Sequence, residues 1–429
     1  MTKPRTDIPE VGLRPRICRS HRTGCFQFSC AVILGLLVLG TSTVVSGSQI
    51  DNLADGEVRR SSDPGLRVAY LPIIFPSSHA SNLLNLRNGD LLCAYYSGLW
   101  EGKSGVAIVI SRLAKGAAKW TRPTVAAQET GKAFENPVLF ESPEGILWLF
   151  YTSQAADEGQ SKSQIFYVTS TNAGKSWTGP KVLFSKPGAF DRQRLLIVGE
   201  KWFFPLYYTP RSDEDNYSAI QISSDHGRNW KECVIPGSNG LVQPDVVELS
   251  PNRFATFFRS RFADWVYSSS SEDGCTWTTP RPTQIPNNNS SIQVTRLRDG
   301  HLVIAFNNLQ ATTVRDKPRD TARWPLSVAL SADGGQTWPW VRDVDIGQGV
   351  PQEAAPDVIA GVDVRGERNT FFNHFFDYSY PSIIETADGT IHMSYTYRRR
   401  TIKYAAFNEA WIKQGTTLGI FSGDRRSSR

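Results

Sequence analysis

The sequence predicts an all-β fold, a six-bladed β-propeller whose blades are four-stranded antiparallel sheets. Three observations lead to this prediction: a composition typical of β proteins, a hairpin pattern that occurs six times, and a second turn motif offset from it. The chain has 429 residues, of which 40% are hydrophobic and 11% aromatic, so it can bury a large core. Past residue 50 no long stretch shows the 3.6-residue apolar period of a surface helix.

The hairpin pattern consists of two hydrophobic runs that are separated by a short turn. Its six copies turn at Gly89, Gly145, Gly199, Asn252, Gly300 and Gly389. Asn-Gly, Asp-Gly and related pairs favour hairpin turns because these residues tolerate a positive φ. Each copy therefore predicts two antiparallel strands.

The second motif is an eight-residue turn that ends in tryptophan, at 170–177, 223–230, 270–277 and 331–338. Its acidic place holds Asn172, Asp225, Glu272 and Asp333 in the four copies. A short acid can accept hydrogen bonds from nearby backbone N–H groups, and the tryptophan can fold back as an apolar plug. We therefore assign structural roles to these acids. A spacing of about fifty residues, with four strands per unit, is a propeller period.

The N-terminal segment predicts export. Residues 1–25 are basic and precede an apolar run at 30–40, which small residues follow; this order is typical of an export signal. We predict an export signal or signal anchor at 1–47, a linker at 48–65, the propeller at 66–412 and a C-terminal tail at 413–429. The run is shorter than the roughly 20 residues of a membrane span. We therefore expect a secreted or periplasmic protein, with membrane contact only through an uncleaved anchor.

Charge and cysteine content exclude several classes of function. The formal net charge of +6 lies mostly in the N-terminal segment, and the rest gives no electrostatic case for nucleic acid. The body contains Cys93, Cys233 and Cys275, an odd number without metal-like spacing, so we expect no disulfide framework and no metal site. Cys93 lies in an apolar run and is expected in the core. The chain has no P-loop or dinucleotide-binding turn, and we predict no cofactor.

The eight-residue turn matches the Asp box, S-x-D-x-G-x-T-W, and through this motif the chain resembles the sialidase-like propellers, or BNR-repeat proteins. The resemblance covers residues 66–412. In a sialidase it would imply three arginines that bind the substrate carboxylate, a tyrosine nucleophile backed by a glutamate, and an aspartate acid/base. A guanidinium suits a carboxylate because the two groups form bidentate hydrogen bonds.

The sequence departs from the sialidase pattern at the first arginine. That residue belongs to an R-I-P motif ten residues before the first turn glycine, where this chain has His79. The arginine after the first hairpin and the aspartate near 103–105 have no counterpart either. The His-Ala-Ser segment and the Gly-x-x-Glu-Gly loop around Glu101 resemble a divergent branch of the family. Some members are similar to α-L-rhamnosidases that remove rhamnose from glucuronic acid with a histidine at this place, which implies a catalytic His79.

Polar residues next to the six hairpins are expected to form one ring, because equivalent blade positions converge on the axis of a propeller. We assign catalysis to His79, Glu101 and Asp245. We assign substrate binding to Asn136, Arg192, Arg194, Tyr207, Gln243, Arg259, Asn307, Tyr380 and Arg398. Such a ring suits an acidic sugar. Residues 339–377 are poor in strand signal and are expected to form a loop over this face.

The sequence therefore predicts an exported exo-acting glycoside hydrolase, sialidase-like or α-L-rhamnosidase-like, that acts on an acidic or deoxy-sugar glycan terminus. Two alternatives stay open. A carbohydrate-binding propeller without turnover is favoured by the lack of a complete catalytic set. A polysaccharide lyase on a uronate-containing glycan would use His79 as a base and Arg259 to neutralise the carboxylate. An acid and a histidine around one cavity would favour an enzyme.

Overall fold

The structure is a computed structural model that describes residues 47–211, 215–310, 313–314, 317–318, 323–346 and 377–417. Within these ranges, six antiparallel sheets with four-stranded cores form the six blades, numbered I to VI, of a β-propeller. The prediction of an all-β, six-bladed propeller is confirmed. The predicted export signal or signal anchor at 1–47 lies outside the described residues except for Gly47. None of the described helices has the length and apolar character needed to cross a membrane.

The described chain begins with helix α1 (Gly47–Leu53) and strands β1 (Arg59–Arg60) and β2 (Arg67–Tyr70). Blade I contains β3 (Ser77–Asn85), β4 (Leu91–Gly98), β5 (Ala107–Leu113) and β6 (Thr124–Ala127). Blade II contains β7 (Lys132–Glu141), β8 (Leu147–Ala155), β9 (Gln164–Ser170) and β10 (Lys181–Phe184), with a 3₁₀ turn at Gln160–Lys162. Blade III contains β11 (Ala189–Phe190), β12 (Leu196–Val198), β13 (Lys201–Tyr208), β14 (Tyr217–Ser223) and β15 (Lys231–Val234).

Blade IV contains β16 (Leu241–Ser250), β17 (Arg253–Ser260), β18 (Trp265–Ser271) and β19 (Arg281–Pro286). Blade V contains β20 (Gln293–Arg296), β21 (Leu302–Asn307), β24 (Leu326–Ser331) and β25 (Trp340–Asp345), with a small hairpin of β22 (Thr313–Val314) and β23 (Lys317–Pro318) between them. Blade VI contains β26 (Tyr378–Glu385), β27 (Ile391–Tyr397) and β28 (Thr401–Phe407), and helix α2 (Glu409–Lys413) follows. The six predicted hairpins are all present.

Blade VI combines strands from the beginning and the end of the propeller sequence. Strand β2 pairs with β28, in a register that joins Arg67 to Ala406 and Tyr70 to Lys403. Strand β1 then adds a fifth strand to the same sheet. Backbone hydrogen bonds therefore close the ring.

Apolar side chains hold neighbouring blades together. Every residue of β4 is buried, because each blade packs between two others and these neighbours cover both faces of its strands. Between blades II and III, Trp202 contacts Phe140 with ring centroids 4.8 Å apart. Between blades IV and V, Trp338 contacts Phe257 at 6.1 Å. Trp338, the last residue of its motif copy, thus serves as the apolar plug that the sequence predicts, whereas Trp202 belongs to β13.

The acids of the Asp boxes bind backbone N–H groups, as predicted. Asp225 accepts from Asn229 N at 2.8 Å, and Asp333 accepts from Thr337 N at 2.9 Å. In the copy at 270–277, however, the acid is Asp273, which accepts from Thr276 N at 2.6 Å. The assignment of Glu272 is wrong, because this copy has one residue fewer between its acid and its tryptophan.

Cys233 and Cys275 form a disulfide between blades III and IV, with their Cα atoms 5.0 Å apart. The expectation of no disulfide is therefore wrong. The two cysteines are 42 residues apart in sequence, and only the packing of one blade against the next brings them together. Cys93 is a buried free cysteine, as expected.

The segment at 339–377 contains one strand that the sequence analysis did not predict. Strand β25 is the outer strand of blade V and pairs with β24 from Leu330 to Leu326. Residues 347–376 of this segment lie outside the described residues, and so does the predicted loop over the central face.

Candidate functional site

The inner strands of the blades share an irregularity near the propeller axis. Register shifts interrupt β3, β7, β16 and β26 at equivalent places. Residues with a positive φ lie at these four places and just before β20: Ala80, Asn136, Gln243, Tyr380 and Asn289. Bulges redirect side chains and are common beside active sites, while each positive φ outside glycine costs about 1–3 kcal/mol. The fold therefore holds an irregular ring where the sequence predicts the site.

Tyr380 lies among arginine side chains. Its hydroxyl oxygen accepts a hydrogen bond from Arg259 Nη1 at 2.6 Å. The guanidinium carbons of Arg192, Arg259 and Arg323 lie 5.3, 5.7 and 5.3 Å from the centre of its ring. Burial acts to raise the pKa of Tyr380, but the charges of Arg259 and Arg323 outweigh it and lower this pKa below its ordinary value. The arrangement stabilises a phenolate.

His79 packs against Tyr380 as a neutral imidazole. Its ring centre lies 4.2 Å from that of Tyr380, and its Nδ1 lies 2.7 Å from Thr396 Oγ1. Burial, followed by the charges of Arg399 and Arg323, holds the pKa of His79 well below its ordinary value. Its Nε2 is buried without a hydrogen-bond partner in the part of the chain that the structure describes. This atom can bind a polar group of a ligand.

Arg399 joins two carboxylates at the same face. Its Nε donates to Asp377 Oδ2 at 2.7 Å, and its Nη1 donates to Glu101 Oε2 at 2.6 Å. Arg323 forms a longer ion pair with Asp377, at 3.6 Å. Burial raises the pKa of Glu101, but the charge and hydrogen bond of Arg399 lower it further, to below its ordinary value. Glu101 is therefore an ionised group that Arg399 holds in place.

Glu135 is a buried carboxyl group whose pKa is shifted in the direction opposite to that of Glu101. Among the described residues, no arginine or lysine forms an ion pair with it, and its Oε1 accepts a hydrogen bond from Gln154 Nε2 at 3.0 Å. Burial and the negative charge of Glu101 raise the pKa of Glu135 to about 8. Glu135 is therefore mostly protonated at neutral pH, while Glu101 is ionised.

Arg192 binds backbone rather than the open face. Its Nη1 donates to Ser81 O at 3.0 Å, its Nη2 donates to Tyr380 O and Pro381 O at 2.9 and 3.0 Å, and its Nε donates to Ser291 Oγ at 3.2 Å. A guanidinium has five N–H groups, so most of its donors are used. Arg192 ties blade III to blades I, V and VI.

Asp245 and Arg194 line a pocket that Tyr380 does not line. This pocket has a volume of about 320 Å³, and Glu248, Thr295 and Arg296 also line it. Asp245 Oδ2 accepts from Val294 N at 2.5 Å, and Arg194 donates to Val294 O at 2.9 Å. Burial raises the pKa of Asp245 to about 6. The structure thus does not bring Asp245 to His79 and Glu101.

Tyr207 and Gln243 are buried on the site's side of blades III and IV. Tyr207 stacks on Phe190 with ring centroids 5.2 Å apart, and its electrostatic neighbours include Tyr380 and Glu135. Gln243 has a φ of 54°, and both polar atoms of its amide are buried without a partner in the described ranges. Such an amide is suited to bind a ligand hydroxyl.

The remaining predicted residues have mainly protein contacts. Asn136 is a buried bulge residue with a φ of 48°. Asn307 Nδ2 donates to Tyr378 O at 2.9 Å, which connects blades V and VI. Arg398 Nε donates to the Tyr378 hydroxyl at 2.9 Å. Its guanidinium lies 5.4 Å from the centre of the Tyr397 ring.

Sequence reasoning missed Glu135, Arg323, Asp377 and Arg399. Glu135 stands directly before Asn136, at the same place in its bulge as His79 in blade I, and this equivalence is a signal that could have found it. Arg399 lies in the run of arginines at 398–400. Arg323 follows a stretch without a hairpin pattern, and no sequence signal marks it.

The sequence profile of the BNR repeat-like domain matches residues 89–393. The chain therefore belongs to the BNR repeat-like family of sialidase-like propellers. No curated protein matches the chain by sequence.

Solved structures share its fold. The Hadza microbial sialidase Hz136 is 17% identical with a TM-score of 0.61; the match covers 78% of this chain and 66%, just under two thirds, of that protein. The NanB sialidase from Streptococcus pneumoniae is 14% identical with a TM-score of 0.60, over 86% of this chain and 73% of the other. A protein of unknown function from Dyadobacter fermentans is 14% identical with a TM-score of 0.59, over 80% and 99%. At these identities the likeness establishes the fold.

Proposed function

We propose that this protein is an exported exo-acting glycoside hydrolase that removes a terminal sugar from an acidic glycan. The observation that carries the proposal is the hydrogen bond from Arg259 to the hydroxyl of Tyr380, with the guanidinium of Arg323 5.3 Å from the centre of the same ring. Hydrolysis would use Tyr380 as the nucleophile, as the family resemblance implies, and the arginines to bind an anion.

The charges of the site support an anionic substrate. Arg259, Arg323 and Arg399 face two ionised carboxylates, Glu101 and Asp377, whose pKa values are both below the ordinary range. Glu135 adds no charge at neutral pH, because its pKa is about 8. An excess of buried positive charge favours binding of a carboxylate, to which a guanidinium donates paired hydrogen bonds.

A tyrosine suits this site as a nucleophile. A carboxylate nucleophile is charged throughout and would be repelled by an anionic sugar, whereas a phenol can meet the sugar as a neutral group and ionise beside the arginines as it attacks. Tyr380 meets this condition because Arg259 and Arg323 lower its pKa. The grouping of His79, Glu101 and Glu135 near Tyr380 also favours an enzyme over a propeller that only binds sugar.

A second candidate is a polysaccharide lyase that acts on a uronate. The unpartnered, neutral Nε2 of His79 favours it, because a base must remove the proton beside the sugar carboxylate. Elimination would break the glycosidic C–O bond without adding water and would leave an unsaturated sugar. That product absorbs ultraviolet light, whereas a hydrolysis product does not.

The disulfide supports export. Disulfides persist in oxidising compartments and are rare in reducing ones, and Cys233 and Cys275 form one between two blades. The basic and apolar N-terminal segment points the same way.

The test is activity of the full chain on sialyl-lactose, rhamnose-capped glucuronides and uronate polymers. We expect release of one terminal sugar, which Tyr380→Phe abolishes. Tyr167→Phe, in the outer part of blade II, is the matched control and should keep full activity. Products that absorb ultraviolet light would contradict hydrolysis and would support elimination by a lyase. Glycan binding without any product would contradict both proposals and leave a carbohydrate-binding propeller.

A further inference from the structure

We propose that Glu135 is the acid that protonates the departing glycosidic oxygen. The inference rests on the proposed hydrolase function and concerns the acid, for which the sialidase position of this chain has no counterpart. The sialidase-like pattern places its acid in the loop after the first hairpin, but residues 103–105 read Lys-Ser-Gly. The acid of this chain therefore has to come from another position.

The position of Glu135 places it at the site. It directly precedes the bulge of β7, as His79 precedes the bulge of β3, and β3 and β7 are the inner strands of neighbouring blades. The charge of Glu135 contributes to the raised pKa values of Tyr96 and Tyr207. The charges of Glu101 and Arg399 in turn act on the pKa of Glu135. Glu135 thus lies on blade II, between blades I and III, and shares electrostatic neighbours with Tyr380, such as Tyr96 and Tyr207.

The hydrogen bonding of Glu135 leaves one oxygen for a ligand. Gln154 Nε2 donates to Oε1 at 3.0 Å, which orients the carboxyl group. No described residue donates to Oε2 through a hydrogen bond shown in the structure, and the side chain is 4% exposed. A protonated Oε2 can therefore donate to a sugar oxygen that enters the site.

Glu101 is unsuited to the same role. It forms a 2.6 Å ion pair with Arg399 and a hydrogen bond with Tyr96, both of which favour the ionised form. Its negative charge in turn favours the protonated form of Glu135. Two neighbouring carboxyl groups whose surroundings drive their proton affinities apart are the usual sign of an acid and its charged partner.

The proposed step balances without a further reactant. The phenolate oxygen of Tyr380 forms a bond to the anomeric carbon, and the bond from that carbon to the glycosidic oxygen breaks. The oxygen keeps the electron pair and takes the proton of Glu135, which becomes a carboxylate. Water then attacks the anomeric carbon, gives a proton back to Glu135, and releases the Tyr380 phenolate and the free sugar.

Glu135→Gln tests the assignment in the full chain. On the glycan that the wild type cleaves, kcat/KM should fall by about 10²–10⁴-fold, the usual contribution of a general acid. On the nitrophenyl glycoside of the same sugar it should fall by less than about tenfold, because that leaving group needs no proton. The variant should also lose the decline in activity that the wild type shows as the pH rises through about 8.

Asp191→Asn is the matched control. Asp191 stands before Arg192 in blade III, is fully buried, and has a pKa that burial raises to about 8, but its partner is Thr152 at 2.7 Å. This variant should keep the alkaline decline and the ratio of activities on the two substrates. Two results would overturn the role of Glu135 but not the proposed function. One is an equal loss of kcat/KM on both substrates in Glu135→Gln, and the other is an unchanged alkaline decline in that variant.

A measurement without substrate separates this inference from the proposed function. The infrared difference spectrum between the wild type and Glu135→Gln should contain a protonated carboxyl band near neutral pH that titrates at about pH 8. The band of Asp191 cancels in this difference because both proteins contain that residue. Absence of that band would contradict the assignment even if the enzyme is active. Absence of sugar release by the wild type would overturn both the proposed function and the role of Glu135 in it.

Discussion

Arg259 and Tyr380 share a hydrogen bond of 2.6 Å although they lie on blades IV and VI. The Nε atom of Arg259 is fixed at the same time by Asn289 Oδ1, at 2.9 Å, so the guanidinium has a defined direction. One blade therefore sets the protonation of a side chain on another, and the pKa of Tyr380 becomes a property of the assembled ring.

Arg259→Gln should raise the pKa of Tyr380, because it removes a charge that lowers this pKa. The rising limb of the pH–rate profile should move to higher pH, and activity at neutral pH should fall about tenfold for every pH unit that this limb moves. The ultraviolet titration of tyrosine provides a second measurement. Arg281→Gln, on the exposed end of β19, is the control. A profile that stays in place would show that Tyr380 is not the group that titrates.

Asp191→Asn should change how stability depends on pH. The pKa of Asp191 is about 8 in the native protein against an ordinary value of 3.8, so between these values the native state keeps a proton that the unfolded state has lost. Stability from this group is complete below pH 3.8 and disappears as the pH rises through 8. From about pH 5 to about pH 7.5, the wild type should lose about 1.4 kcal/mol per pH unit relative to the variant in urea unfolding. If the free energies of unfolding of the wild type and Asp191→Asn change in parallel with pH, the raised pKa of Asp191 is contradicted.

Arg192→Met should destabilise the ring, because it removes the donors to Ser81 O, Tyr380 O and Pro381 O and leaves these buried carbonyls unpaired. We expect a loss of about 3–5 kcal/mol in the free energy of unfolding. Arg192→Lys keeps the charge, so its free energy of unfolding should lie between those of the wild type and Arg192→Met. It replaces the methionine variant in the experiment if that variant does not fold. Arg253→Met, at the exposed start of β17, should have almost no effect. A stable Arg192→Met would contradict this structural role of Arg192.

The double substitution Cys233→Ser with Cys275→Ser should lower stability by about 2–4 kcal/mol, because it releases a closed loop of the unfolded chain. Thermal unfolding with and without a reducing agent measures the effect. Reductant should lower the melting temperature of the wild type to that of the variant and leave the variant unchanged. A wild type that is insensitive to reductant would show that the bond is not formed in solution.

The hairpins were predictable because each depends on residues that are neighbours in sequence, such as those around Gly89. The positions of His79, Glu101, Arg259 and Tyr380 followed from the equivalence of blades. The pairing of Arg399 with Glu101 did not, since it joins the last blade to the first across 298 residues. Asp245 shows a second limit. It lies beyond its bulge rather than before it, and this difference of register sends it to another pocket, which the sequence pattern does not reveal.

Ring closure by β2 and β28 has a consequence for synthesis of the chain. Strand β2 leaves the ribosome before any blade exists, and its partner is the last strand of the propeller to be made. Until then β2 presents an unpaired edge, which attracts chaperones and promotes aggregation. A chain that stops before Lys403 lacks the residues that pair with β2 and keeps that edge exposed. Closure therefore acts as a quality check that only a completely translated propeller passes.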